Sequence, residues 1–234
     1  MDQWEKRQQY WFVIQQLTAR ELKRKYARSA LGILWSVLNP LLSMAVLSLI
    51  FSQMFRRSIE NYPIYYLTGY LLWQAFTGTT NSAMTTLADN RSLLLKVKFP
   101  MELFILTRGF TALVNLGYSF AAYGVMLVVF QVPASWPVVF ALPVVAFLFL
   151  FSLGVSYALA AAYVFFGDVK HLYSVVLTLW MYCSGIFYPV DQLSGPIRQV
   201  VEINPLYLFI RCLRGAVMDA RPPSGWDFLL MAAW

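Results

Sequence analysis

The sequence predicts an all-α integral membrane protein. Charge is scarce: 12% of the 234 residues are Asp, Glu, Lys or Arg, while 59% are hydrophobic and 17% aromatic. A soluble domain carries about 25% charge, and here the deficit is matched by a mean hydropathy of +0.59. The charges are also segregated. None falls between Arg28 and Arg56, Glu60 and Asp89, Arg108 and Asp168, or His171 and Asp191. Each interval holds at least about 19 residues, enough for a helix to cross ~30 Å of hydrocarbon.

Residues 1–35 form a cytoplasmic N-terminal segment. Lys6, Arg7, Arg20, Lys23, Arg24, Lys25 and Arg28 put much of the basic charge before the first apolar stretch, as cytoplasmic flanks require. Trp11, Ile14, Thr18, Leu22 and Tyr26 recur at helical spacing and make a stripe on one helix face. That pattern predicts an amphipathic helix on the cytoplasmic membrane surface, held by basic residues at headgroup level. A short soluble helix is the competing form and would need a partner to cover Trp11 and Tyr26. Ser29 to Gly32 then turn the chain into the membrane.

Residues 36–234 form the transmembrane domain. Five spans are expected at about 36–55, 62–84, 105–130, 138–165 and 172–189. Pro40 removes a backbone hydrogen bond inside the first and should bend it. The long interval 109–167 divides at "QVPASWP" (131–137), which carries two prolines. A sixth apolar segment starts at 226 and reaches Trp234. It is too short to span, and truncation of that span is the expectation.

Arg91, Lys96 and Lys98 place the loop between spans two and three on the cytoplasmic side with the N-terminus. The "GDVK" turn (167–170) falls on that side too. Arg56, Arg57, Arg198, Arg211, Arg214 and Arg221 fit this orientation less well. "INPLYLFIRCLRGAVM" after Pro205 reads as a short amphipathic helix with Arg211 and Arg214 on one face. Such a segment lies at the interface or dips back into the protein.

Several functions are excluded by what is missing from the sequence. Two cysteines and one histidine provide no metal or disulfide framework. The polar N-terminus is too long for a cleaved signal peptide. The spans hold few ionisable groups, against a proton- or sodium-coupled transporter or an intramembrane hydrolase. No G-x-x-x-x-G-K-[ST] occurs, so energy for uphill movement must come from another chain. No soluble nucleic-acid-reading module is visible, and a nucleic-acid partner is not expected.

Aromatic residues concentrate at two span ends. Tyr62, Tyr66, Tyr70 and Trp73 follow a helical stripe, and Trp180, Tyr182, Phe187 and Tyr188 cluster at the end of span five. They are candidates for a substrate path, since aromatic faces stack on sugar C–H groups; an interfacial belt explains the same residue types. The loop "LADNRSLLLKVKFPMELFILTR" (87–108) is longer than a connector needs and carries both signs of charge. It suits docking into a groove on a cytosolic partner, with a membrane-hugging connector as the alternative.

These segments together resemble a known family. "YARSALGILWSVLNPLL", "LTGYLLWQAF", "NRSLLLKVKFPMELF", "GDVKHLYSVVLTLWMY", "GIFYPV" and "INPLYLFIRCLRGAV" occur in order from about residue 10 to 220. The chain is similar to ABC-2-type permeases, the membrane subunits of O-antigen, teichoic-acid and capsular polysaccharide exporters. The resemblance implies a homodimer with six spans per subunit, an N-terminal interface helix and short re-entrant outer helices. It implies a separate cytosolic ATPase that carries ATP and Mg, this chain having no cofactor. It further implies a bacterial inner-membrane location with a cytoplasmic N-terminus, and a polysaccharide or polyol-phosphate polymer, lipid-linked, passing between the two subunits. The ATPase-contact region would be Asp89, Asn90, Arg91, Lys96, Lys98, Pro100 and Glu102, with a second contact at Asp168 and Lys170. Family members commonly carry Arg before that aspartate, where this chain has Gly167. An ABC-2 drug or lipid exporter is the alternative within transport, and a membrane-embedded glycosyl- or acyltransferase the alternative outside it.

Overall fold

The computed structural model describes residues 3–27, 29–54, 59–96 and 100–234. Arg28, Arg56, Arg57 and Lys98 lie outside the described residues. The described residues are helical, with no strand among them. In order they form α1 (Gln3–Tyr26), α2 (Leu34–Met54), α3 (Tyr62–Met84), α4 (Thr86–Asp89), α5 (Arg91–Leu94) and α6 (Glu102–Val129). A 3₁₀ turn (Trp136–Phe140) leads into α7 (Ala141–Phe165), followed by α8 (Val169–Tyr182), α9 (Gly195–Ile203), α10 (Pro205–Val217) and α11 (Gly225–Ala233).

Among the described residues, three segments are long and apolar enough to cross a membrane: Leu34–Phe51, Glu102–Val129 and Trp136–Phe165. α3 is free of charge and 23 residues long, but less apolar, because it sits at the centre of the bundle. It packs against α2, α6, α7 and α10, and fourteen of its residues are buried. Its threonines need no lipid-compatible surface. Thr68, Thr79 and Thr80 donate to the carbonyls of Ile64, Ala75 and Phe76, four residues back, at 2.7, 2.8 and 3.0 Å.

Packing between spans relies on close fit, since lipid is as apolar as the core. Phe76 stacks on Phe151 at 5.7 Å and meets Trp180 edge-on at 5.2 Å, joining α3, α7 and α8. At Gly109 the backbone of α6 approaches α7. A Cβ there would stand 2.8 Å from Phe149 and 2.9 Å from Leu153, so a larger residue would have to push these side chains aside.

The N-terminal helix differs from a helix lying freely on lipid. Its stripe faces α6: Ile14 and Thr18 are buried, Trp11 meets Phe110 edge-on at 5.5 Å, and the Tyr26 hydroxyl donates to Asn115 Oδ1 at 2.8 Å. The partner that covers the stripe is a span of the same chain, while Phe12 and part of Trp11 stay uncovered. The elbow into α2 runs through Ser29–Ile33. Gly32 adopts φ +51°, which favours glycine, and its N–H donates to Ser29 Oγ at 3.1 Å.

Pro40 lies inside α2, and its missing N–H would have paired with the carbonyl of Ser36, four residues earlier. Ser119 Oγ of α6 donates to that carbonyl at 2.9 Å. The defect in one helix is thus a bond to its neighbour. Ser119→Ala should destabilise the protein by about 1–2 kcal/mol, the cost of a buried carbonyl left unpaired. The same substitution in a Pro40→Ala background should cost much less, because an alanine in place of the proline supplies its own N–H. Thermal unfolding of the four proteins in detergent gives the cycle; equal costs in both backgrounds would refute the pairing.

The fifth expected span, 172–189, ends early. α8 is 14 residues long and rises only ~21 Å. After Tyr182 the chain turns back, with Gly185 at φ +60°. Non-helical backbone is tolerated at such depth only where protein satisfies it, and the donors that do so belong to the site described next.

Candidate functional site

The bundle has two contrasting ends. One carries the α3–α6 loop and the α7–α8 turn, the other the aromatic residues, the 183–189 turn and α9–α10.

At the aromatic end the backbone of the turn is held by side chains. Asn204 Nδ2 donates to the Cys183 carbonyl at 2.8 Å. Arg214 Nη1 and Nη2 donate to the carbonyls of Gly185 and Ile186 at 2.7 and 2.9 Å. The hydroxyls of Tyr62 and Tyr65 donate to the carbonyls of Phe187 and Tyr188 at 2.9 and 2.8 Å, and Tyr188 donates back to the carbonyl of Tyr182. Asn204 also caps α10 through the Leu206 N–H and accepts from Trp180 Nε1 at 2.8 Å. α3, α8 and α10 are thereby joined through one irregular segment.

Arg214 is central to this junction. It is 6% exposed, its Nε donates to the Tyr65 carbonyl at 3.1 Å, and its guanidinium lies 3.4 Å from the Tyr65 ring centroid. Burial strips the charge of its water, so the protein must supply the compensating potential. No carboxylate pairs with it among the described residues; carbonyl dipoles and a ring face take that role. The expected shared face of Arg211 and Arg214 therefore splits: Arg211 is exposed and pairs with Asp227, while Arg214 is internal.

This changes the role of the aromatic candidates. Tyr62, Tyr66 and Trp73 are 2, 1 and 7% exposed within a single chain, and a second copy can only bury them further. Within the single chain they pack against protein. Tyr66 stacks on Tyr70 at 5.2 Å and on Phe187 at 5.8 Å. Trp180, Phe187 and Tyr188 are half-buried, and only Tyr182 of the eight is freely exposed. Of these, Tyr62 and Tyr188 donate to carbonyls at the turn and Trp180 to Asn204.

At the other end the candidates are on the surface. Asp89, Arg91, Lys96, Glu102, Asp168 and Lys170 are exposed, and Asn90 and Pro100 half-buried; Lys98 lies outside the described residues. Asp89 accepts from Thr85 Oγ1 at 2.9 Å and Asn90 donates to the Thr86 carbonyl at 2.8 Å, which fixes the short helices α4 and α5. Apolar side chains stand among the charges: Leu95, Met101, Phe165 and Phe166 are all exposed. Behind them Arg108 joins three elements. Its Nη1 meets Glu21 Oε2 of α1 at 2.6 Å, and its Nε donates to Thr86 Oγ1 of α4 at 3.1 Å. In the sequence Arg108 marks only the edge of an uncharged interval.

A cavity of about 620 Å³ opens between the end of α1, the start of α2 and the middle of α3 and α6. Its walls are polar stripes on three helices. Gln74, Thr77 and Asn81 come from α3, Thr111, Asn115 and Ser119 from α6, and Trp35 and Asn39 from α2. The stripes are visible in the sequence at three-, four- and seven-residue spacing within otherwise apolar spans, a pattern that marks one helix face.

Comparison with known proteins agrees with this architecture. Residues 13–218 match the model of the ABC-2 type transporter family. The O-antigen export system permease protein RfbA of Myxococcus xanthus is 32% identical over 96% of this chain and 87% of its own length. A protein of the same name from Klebsiella pneumoniae is 28% identical over 87% of this chain and 79% of its own. The capsule polysaccharide export inner-membrane protein CtrC of Neisseria meningitidis is 25% identical over 83% and 74%. Permeases of this kind are transport subunits that work with a separate ATPase. With its bundle of apolar helices and a match across most of its length, this multi-pass inner-membrane protein belongs to the ABC-2 type transporter family.

Proposed function

We propose that this chain is the membrane subunit of an ATP-driven exporter of a bacterial surface polysaccharide, working as a pair of identical copies. The observation that carries the substrate class is the match over nearly the whole chain to relatives named for O-antigen and capsule export. A pair of copies is supported by α8, whose helix contacts among the described residues are with α3 and α7 and which leaves Leu172, Val175 and Leu179 exposed along one side. The N-terminus and the α3–α6 loop lie in the cytoplasm. Their basic residues favour that side, and three of the six arginines that fit it poorly are engaged in protein contacts: Arg198 with Glu202 at 2.7 Å, Arg211 with Asp227, and Arg214 with carbonyls. ATP and Mg belong to the partner, which docks on the mixed apolar and charged surface around Arg91, Lys96 and Asp168.

Purified alone, the chain should hydrolyse no ATP, and activity should appear on adding its ATPase; intrinsic hydrolysis would overturn the division of labour. Reversing charge at Arg91 and Lys96 together should reduce co-purified ATPase about ten-fold, at ~0.7 kcal/mol per exposed pair lost, with unchanged abundance in the membrane. Undiminished co-purification would make the loop a connector only.

A further inference from the structure

We infer that Pro40 is the hinge of α2. The part of the helix before it is fastened to α6 and belongs to one rigid body with α1. The part after it, residues 41–54, swings on the surface of α3. That the swing serves export rests on the transport reading above; the hinge itself rests on the contacts of α2.

The elbow at Ser29–Ile33 is the obvious place for a bend, and it is clamped on both sides. Before it, the Tyr26 hydroxyl donates to Asn115 Oδ1 at 2.8 Å; after it, the Ser36 carbonyl accepts from Ser119 Oγ at 2.9 Å. Asn115 and Ser119 are neighbours on one face of α6, about 6 Å apart along its axis, so the elbow cannot open without breaking one of these bonds. Farther along α1, Glu21 meets Arg108 of α6 at 2.6 Å and Trp11 meets Phe110 edge-on at 5.5 Å. At the base of α2, Ser36 Oγ donates to the Ile33 carbonyl at 2.6 Å, which stiffens the exit from the elbow.

Beyond Pro40 the contacts change in kind. Met44 is buried, Phe51 stacks on Tyr62 at 6.1 Å and lies 6.2 Å from Phe187, and Ser43 meets the Tyr66 hydroxyl. Apolar contacts are non-directional and survive a small slide. Leu42, Val46, Leu49 and Ile50 are exposed along the other side, so within the chain the segment is held from one side. Ser48 Oγ is buried with no hydrogen-bond partner among the described residues, so the segment gives up a hydrogen bond by sitting where it does. Bending α2 elsewhere would break N–H···O bonds of its own ladder. Pro40 has no N–H to lose, and the Ser36 carbonyl that it leaves free is bonded to α6, on the fixed side. A change of about 15° there would carry the end of α2, ~21 Å away, by about 5 Å. When a docked ATPase displaces the subunit from its loop end, residues 41–54 are the part of α2 free to yield. Pro40 is itself buried and acts as a positioning residue, through the segment it releases.

The experiment reads the two halves of α2 separately. Fluorine NMR follows a trifluoromethyl-phenylalanine encoded in place of Leu34 or of Val46, both exposed, in the complex with its ATPase in nanodiscs. A non-hydrolysable ATP analogue with Mg should change the ratio of two resonances about three-fold for the tag at 46 and leave a single resonance at 34. Pro40→Ala, which closes the ladder, should abolish the change at 46 and lower polymer exported per ATP about ten-fold. Its membrane abundance and unfolding temperature should be no lower than wild type; a proline with a structural role alone would leave export unaltered. Pro40→Gly keeps a soft point in the helix and should retain the response and about half of the export. Ser119→Ala opens the clamp and should bring the response to 34. Equal responses at 34 and 46 in the wild type, no response at 46, or a Pro40→Ala variant that keeps either the response or wild-type export would each overturn the hinge. Surface display of the polymer in cells lacking the gene tests the export reading by itself: display that persists there overturns that reading, while the resonances still decide the hinge.

Discussion

Arg214→Met is expected to remove most of the folded protein, with a loss of about 4 kcal/mol. Two effects oppose each other. Methionine relieves the desolvation of a buried guanidinium, which costs several kcal/mol, and such replacements can stabilise a protein when partner groups go too. Here the partners stay. The carbonyls of Tyr65, Gly185 and Ile186 lose their donors, and each buried orphan costs about 1–3 kcal/mol. The stacking on Tyr65 is lost as well, up to about 2 kcal/mol when desolvated. The carbonyls of the turn cannot recruit helical N–H groups, because α8 has already ended at Tyr182. The orphans therefore outweigh the relief. Arg214→Lys should fall between, keeping the charge but losing the fork that reaches three acceptors. Gly69→Ala gives an independent check from α3, since its Cβ would lie 2.7 Å from Arg214 Nη2 and must displace the guanidinium. Folded yield by fluorescence-detected size exclusion and the unfolding temperature in detergent are the measurements. Wild-type stability of Arg214→Met would show that the turn is held by Tyr62, Tyr65 and Asn204 without it.

Arg214 also shows where sequence stops being sufficient. The apolar intervals are legible because the bilayer imposes one rule on every span, a minimum length free of charge. That rule places α2, α3, α6 and α7 within a few residues of their observed ends. It fails at α8, because the turn at 183–189 is stabilised by donors distant in sequence. Arg214 reaches it from 28 and 29 residues away, and Tyr62 from 125. Periodicity sees Arg211 and Arg214 as one face and cannot tell that one meets Asp227 and the other a cage of carbonyls. The aromatic stripe of α3 holds a second role that sequence does not show: the Tyr62 hydroxyl serves the Phe187 carbonyl. At the loop end the exposed charges were legible as surface, because nothing long-range holds them.

Glu21→Gln should destabilise the protein by about 2 kcal/mol and weaken the coupling between ATP hydrolysis and export. Glu21 and Arg108 have side chains 13 and 15% exposed, 2.6 Å apart. Removing one partner of a fully buried pair costs about 3–5 kcal/mol through the charge left behind, and residual exposure reduces that figure. Glu21→Gln/Arg108→Gln leaves no such charge, so the double variant should recover part of the loss. A coupling energy of at least ~1 kcal/mol in the double-mutant cycle is expected; additive losses would mean that the two groups do not sense one another. The functional consequence follows from what Arg108 joins. Through Thr86 it holds α4, which Asn90 links to the exposed Arg91, and through Glu21 it holds α1. α1 is tethered again at its end by Tyr26 to Asn115 and passes through the Gly32 elbow into α2. A displacement of the loop by a docked ATPase therefore reaches α1 through an ion pair, and α2 through the elbow. Cutting the pair should leave ATPase binding at the loop intact, so hydrolysis continues while polymer exported per ATP falls. Equal falls in hydrolysis and export would instead place Glu21 in the docking surface itself.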